Sequence, residues 1–168
     1  SLVDEDRQFF KSTVGLPEPW ASCRETPLSH SFCKHVVAES RTLRVTDARS
    51  HPLVAQNLAV EDLSVVASLG VPLHGPTGHV LGSLCAIDSK PRDWSDHDER
   101  TLYDLAAIVE DQIGLSFTEK RWREILSTLP QMVWSTRPDG FHDYYNDRWY
   151  EFTGVPYGST DGEGWNDM

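Results

Sequence analysis

The sequence predicts an α+β fold: an antiparallel sheet with flanking helices, a long C-terminal connecting helix, and after it an incomplete α/β fragment. Three observations predict it. Residues 71–88 read as two strands around the Gly/Pro-rich turn Gly75-Pro76-Thr77-Gly78, whose residue types supply the tight backbone. After the turn, Val80, Gly82, Leu84 and Ala86 alternate with Leu81, Ser83, Cys85 and Ile87, so both sides are apolar and the strand belongs inside a sheet. A long helix then opens at Ser95 with a capping-box pattern and acids in its first turn. A sheet feeding directly into a long helix suits a sensor module better than an enzyme.

The other elements follow in order. Ser1-Leu2-Val3 reads as the tail of a strand, and Arg7 to Val14 as a second strand centred on Phe9 and Phe10. A loop rich in Pro and Gly leads to Thr26-Pro27, a hydroxyl followed by proline that predicts a helix start. Leu28, Phe32, Cys33, Val36 and Val37 would share one side of that helix. Leu43 to Thr46 form a short strand, Asp47 to His51 a turn, and Pro52 opens a brief helix carrying Leu53, Val54 and Leu58. Val65 to Leu73 form the first arm of the hairpin. The stripe Leu102, Leu105, Ala106, Val109 and Ile113 has helical period and continues toward Leu129 past Phe117, Trp122 and Ile125. Such a helix spans roughly 50 Å. Gly114 is its weak point, costing about 1 kcal/mol against alanine. After Pro130, Met132 to Ser135 and Phe141 to Tyr145 read as strands joined by Arg137-Pro138-Asp139-Gly140. Asn146 then caps a short aromatic helix that ends at Gly154. Two strands and a helix make a poor unit alone, so this second domain is expected to be incomplete.

Composition narrows the function. The 168 residues allow one domain and part of another. A net charge of −11 with no concentrated basic face excludes nucleic acid as a partner. No apolar run approaches the roughly 20 residues of a membrane span, so no direct membrane contact is expected in this segment. Three cysteines, Cys23, Cys33 and Cys85, without CxxC spacing suit a cytoplasmic location.

The candidate chemistries have plainer explanations. Cys23, His30, Cys33 and His35 carry metal-ligating groups, but on one helix His35 would point about 140° away from His30, and no metal is expected. Gly75 to Gly78 lacks the Gly-Lys-Ser/Thr ending of a phosphate loop. Asp96, Asp98 and Glu99 are explained by the helix dipole. Trp134, Tyr144, Tyr145 and Trp149 lack the basic residues of a nucleic-acid platform. No catalytic residue and no cofactor is assigned.

The order of elements, the run Gly82-Ser83-Leu84-Cys85-Ala86-Ile87-Asp88 followed by Pro91-Arg92 and Trp94-Ser95, and the opening Ser1 to Ser12 resemble a GAF domain. That resemblance covers residues 1–115, and the first helix and most of the first strand of such domains are missing from it. Leu129-Pro130-Gln131-Met132-Val133-Trp134, Pro138-Asp139-Gly140, Tyr145-Asn146-Asp147-Arg148-Trp149 and Phe152-Thr153-Gly154 resemble the opening of a PAS domain over 130–168, with 116–129 as connecting helix. Together they resemble the sensory half of a bacterial sensor histidine kinase; diguanylate cyclases and serine phosphatases carry similar halves. What this implies is input sensing, relayed to a downstream kinase or other output domain, with a possible homodimer through the 96–128 helix. Bilin attachment is not implied, because Cys33-Lys34-His35 and Cys85-Ala86 lack the Cys-His pair, and the signature of cyclic-nucleotide-binding GAF domains is absent. A small-molecule ligand would lie between sheet and helices, oriented by His30, Asp47, Asn57 and Ser83 and lined by Phe32, Leu58 and Leu84. A fully packed core that only dimerises fits the same residues. The rival from another class is a thiol/redox enzyme using Cys33 or Cys85, since GAF folds host methionine sulfoxide reduction.

Overall fold

Apolar residues on both sides of 67–88 become two adjacent interior strands, and the first unit is arranged around them. A computed structural model describes residues 1–162 and 164 and divides into two units, Ser1–Gly114 and Leu115–Met168. In chain order the first contains β1 (Leu2–Val3), β2 (Arg7–Phe9), α1 (Trp20–Cys23), β3 (Glu25–Pro27), a 3-10 turn at Leu28–His30 and α2 (Cys33–Glu39). There follow β4 (Leu43–Val45), a 3-10 turn at Ala48–Ser50, α3 (Ala59–Asp62), β5 (Ala67–His74), β6 (Val80–Asp88) and the first part of α4 (Asp96–Thr128). The sheet is antiparallel, in the order β3-β2-β1-β6-β5-β4.

Strand alternation gives the sheet two covered faces. On one, Leu69 and Val71 of β5 stand beside Ala86 and Leu84 of β6 and pack against Trp94, Leu102 and Ala106. On the other, Ser68 stands beside Ile87 and Gly70 beside Cys85. Here α2 comes close: a Cβ on Gly70 would lie 3.2 Å from Val36 and 3.0 Å from the Ser83 hydroxyl. A second apolar cluster, Phe32, Val45, Ala48, Val54, Ala59, Leu63 and Val65, fills the space beside it. Each such buried aliphatic side chain contributes about 1.5–3 kcal/mol.

The capping box forms as the sequence predicts, with Asp98 in the third position: the Ser95 N–H donates to Asp98 Oδ2 (2.8 Å), and the Asp98 N–H to Ser95 Oγ (3.1 Å). The helix then continues through Gly114 to Thr128. Arg44 of β4 fastens its start, pairing with Asp96 at 3.0 Å and with Glu99. Hydrogen bonds from Arg44, then Thr42, hold the Glu99 carboxyl below its ordinary value of 4.5, against a smaller opposing effect of burial. A depressed carboxyl contributes stability above the unfolded pKa and loses it as pH falls through the folded one. Arg44→Met is therefore expected to move the Glu99 carboxyl up toward its ordinary value of 4.5 and to flatten the loss of stability below about that pH. Carboxyl NMR reads this directly, and an ordinary Glu99 titration in the unmodified chain would refute the pairing.

Four local expectations are corrected. The strand expected over Arg7 to Val14 stops at Phe9, because β3 offers only three partner residues and the Phe10 N–H bonds the Arg24 carbonyl where α1 ends. Thr26-Pro27 is not a helix start: Thr26 pairs with Gln8 across β2–β3, and its buried hydroxyl caps nothing. The helix begins instead at Cys33, where Ser31 Oγ accepts the Lys34 N–H at 3.1 Å. Residues 52–56 form turns, and the helix expected there falls at Ala59–Asp62.

The second unit holds the remainder of α4, β7 (Trp134–Thr136), β8 (His142–Tyr145) and α5 (Asp147–Thr153). The two strands pair antiparallel with a bulge between Ser135 and Thr136. Asn146 occupies the N-cap backbone position of α5, yet its side chain makes no cap, which corrects the fourth expectation. It is buried, accepting the Val133 N–H at 3.0 Å and donating to Leu126 O (3.0 Å) and Gln131 O (2.9 Å). Those polar groups would otherwise go unpaired, and that outweighs a single helix cap. The expectation over 130–168 extends to residues 163 and 165–168, which lie outside the described residues. No helix among the described residues is long and apolar enough to cross a membrane.

Candidate functional site

On the α2 side of the sheet, β5 and β6 present Ser68, Cys85 and Ile87 to a cavity of about 140 Å³. Gln8 of β2 and the segment after it, from Phe10 to Leu16, close one side; Phe32, Cys33, Ala59, Leu63 and Val65 close the other. The wall is mainly apolar. Its polar groups are few, and Gln8 is committed in part, its Oε1 accepting the Ser31 hydroxyl. Ser12, Thr13 and Val14 reach the mouth, Val14 fully exposed, so the cavity opens to solvent.

Size decides what fits. Pockets for drug-sized ligands run to about 300–1,000 Å³, whereas an apolar cavity of about 150 Å³ holds a molecule like benzene. A ligand here has a handful of heavy atoms. The lining residues include no lysine or arginine, the side chains that usually pair with a phosphate group.

The residues expected to hold a ligand separate. Phe32 lines the wall and is buried. His30 also lines it, but both ring nitrogens are occupied: Nε2 meets Asp62 at 2.8 Å and Nδ1 meets the Ser29 hydroxyl at 3.0 Å. Its ring is also tilted against Trp20, with centroids 5.2 Å apart. Leu84 touches the cavity, but its side chain packs with the cluster under α4, as alternation along β6 requires.

Four others do not line the cavity. Asp47 bonds the Arg49 backbone and guanidinium, and Arg49 lowers its carboxyl pKa. Asn57 ties the Ser31 carbonyl (3.1 Å) to the Ala59 N–H (3.0 Å). Leu58 is 45% exposed. Ser83 is buried at the closest approach of α2 to the sheet, beside Gly70. Sequence reasoning missed Gln8 and Ser68. The signal for Ser68 was present, since pairing the two arms of the hairpin sets it beside Ile87.

The cysteines stand closer together than the sequence suggested. Cys33 Sγ and Cys85 Sγ lie 3.8 Å apart, Cys33 buried and Cys85 half-buried, both in the cavity wall. The hydrogen bond between the two sulfurs lowers the Cys33 thiol and raises that of Cys85, while burial raises both. The two sulfurs thus titrate as a pair. The Cys/His set considered for a metal is not gathered: His30 lies in a 3-10 turn rather than on the helix of Cys33.

Comparison with known proteins places this architecture. A cyclic di-GMP phosphodiesterase of Pseudomonas aeruginosa is 32% identical over 115 residues, covering 67% of this chain and 19% of that protein. The diguanylate cyclase DgcP of Escherichia coli is 28% identical over 102 residues, covering 60% of this chain and 28% of the cyclase. The chain thus spans under a third of either relative. The crystal structure of the GAF domain from an Acinetobacter phosphoenolpyruvate-protein phosphotransferase matches with a TM-score of 0.56 over 71% of each chain, at 21% identity. With residues 2–113 of its 168 matching the GAF domain model, the chain belongs to the GAF domain family, a sensory domain of signalling proteins.

Proposed function

We propose that this chain is the sensory input part of a larger bacterial signalling enzyme, in which the cavity of residues 1–114 takes up a small, mainly apolar molecule. The supporting observation is that β5 and β6 carry the cavity on one face and α4 on the other. A ligand pressing on Ser68 or Ile87 therefore displaces strands whose opposite side chains, Leu69 and Ala86, seat the helix. Close-packed interiors transmit such shifts. On this reading 1–115 senses, 116–129 connects, and 130–168 is the opening of a PAS domain that receives the bias. Exposed Leu105 and Ile108 in the first unit, and Leu115, Phe117 and Trp122 in the second, are the surfaces through which the 96–128 helix pairs with a second copy.

For the output, the phosphodiesterase and the cyclase favour turnover of cyclic di-GMP. A histidine kinase, expected from the GAF-then-PAS order, is the competing output. A cavity of about 140 Å³ without lysine or arginine in its wall is a poor match for a cyclic dinucleotide.

The test is a small-molecule screen by thermal shift. A ligand at 100 times its Kd stabilises the chain by about 2.7 kcal/mol. Ser68→Leu, which fills the cavity from β5, is expected to abolish the shift while the circular dichroism of the fold is kept. A shift that survives the substitution would place the ligand elsewhere. In the intact protein, Gly114→Ala is expected to alter output by stiffening α4; an unchanged output would show that Gly114 is not a hinge in the relay.

A further inference from the structure

We propose that Cys33 and Cys85 form a peroxide-responsive dithiol that closes to a disulfide joining α2 to β6 in the wall of the cavity. The two residues are 52 positions apart in sequence, yet their sulfurs lie at 3.8 Å, so closure to the 2.05 Å of a disulfide needs only about 1.8 Å of combined movement. Cys33 opens α2, and Cys85 faces it from the central strand, opposite Gly70, which lets the helix approach. Both residues line the cavity, which is open to solvent and large enough for hydrogen peroxide, a molecule of two heavy atoms. The third thiol, Cys23, is exposed at the end of α1.

The chemistry balances with peroxide as the oxidant. The Cys33 thiolate attacks one peroxide oxygen, the O–O bond breaks, and hydroxide leaves and takes up the thiol proton as water. This gives a sulfenic acid on Cys33. The Cys85 sulfur then attacks the Cys33 sulfur, the S–S bond forms, the S–O bond breaks, and a second water departs with the Cys85 proton. Two thiols are oxidised by two electrons, and one peroxide is reduced to two waters. The Ser1 hydroxyl donates to Cys33 Sγ at 3.2 Å, a bond that favours the Cys33 thiolate and makes Cys33 the attacking residue. This is a modification site and not a turnover cycle, and it stands whether or not the cavity also takes a ligand.

The experiment uses the full chain carrying Cys23→Ser, to prevent cross-linking between molecules. It is treated with hydrogen peroxide, unfolded in the presence of N-ethylmaleimide and weighed by mass spectrometry. The expected product has lost two hydrogens, carries no maleimide, joins the Cys33 and Cys85 peptides, and recovers two reactive thiols with dithiothreitol. The folded chain should form it about tenfold faster, or more, than the chain in urea, because the fold holds the thiols together. Two maleimides retained after excess peroxide, sulfinic acids without a cross-link, or equal rates in urea would each overturn the proposal. With Cys85→Ser added, dimedone should trap a sulfenic acid on Cys33; in a chain with Cys33→Ser instead, trapping on Cys85 at the same rate would overturn the assigned roles. The cross-linking result does not depend on whether those second variants fold.

Discussion

Gly82→Ala is expected to cost the first unit about 3 kcal/mol or more, among the largest effects of any single methyl group in this chain. Gly82 lies opposite Leu2 where β6 passes β1. A Cβ there would stand 2.1 Å from the Ser1 carbonyl oxygen and 2.8 Å from Leu2 Cα. Both are backbone atoms, so no side-chain rotation relieves the clash. Nor can β1 retreat freely, since it is held between β2 and β6 by Leu2–Phe9 and Val3–Gln8 pairing. Moving it would also break the 2.9 Å bond from the Ser83 N–H to Ser1 O. Gly78→Ala is the internal comparison: it meets no neighbour but has φ +83°, so it should cost only about 1–2 kcal/mol. Urea unfolding measures both as midpoint shifts at constant slope. Equal costs for the two would mean that β1 does not pack beside Gly82 as described.

Trp94→Ala is expected to cost about 3–5 kcal/mol. The indole is buried between Leu69 of β5 and Leu102 of α4, and its Nε1–H donates to the Val45 carbonyl at 3.1 Å. Arg92 covers the ring, its guanidinium carbon 4.6 Å from the centroid. Truncation opens a cavity and leaves a buried carbonyl without its donor. Trp94→Phe separates these effects, because it keeps most of the packing and loses the donor; about 1–2 kcal/mol is expected. Trp94 also precedes the Ser95 cap, so the alanine variant should loosen the start of α4. Amide exchange across residues 96–106 should rise with it. Protection unchanged there, or a total cost below about 1 kcal/mol, would show that the indole does not seat the helix.

On the proposed reading, pressure on the cavity face would reach α4 through Leu69, Leu84 and Ala86, and Trp94 packs in the same cluster. Variants that loosen this seat without entering the cavity should weaken the relay while leaving uptake of a ligand intact.

The chain's local chemistry alone determined the central hairpin, its turn, and the long helix with its cap. Each rests on neighbours within four residues: alternation along β6, turn residues at Gly75 to Gly78, and Ser95 meeting Asp98. Local chemistry misled at Thr26-Pro27, where a hydroxyl and a proline open helices and strand ends equally well. Only Gln8, 18 positions earlier and reached through β2–β3 pairing, decides between them. Asn146 shows the same conflict, since its cap position is local but the groups claiming its side chain come from Leu126, Gln131 and Val133. The cavity and the cysteine pair were beyond local reading for a related reason. Gln8, Ser68, Cys33 and Cys85 become neighbours only when sheet register and the seat of α2 are set, and no periodicity within one segment encodes a distance between segments.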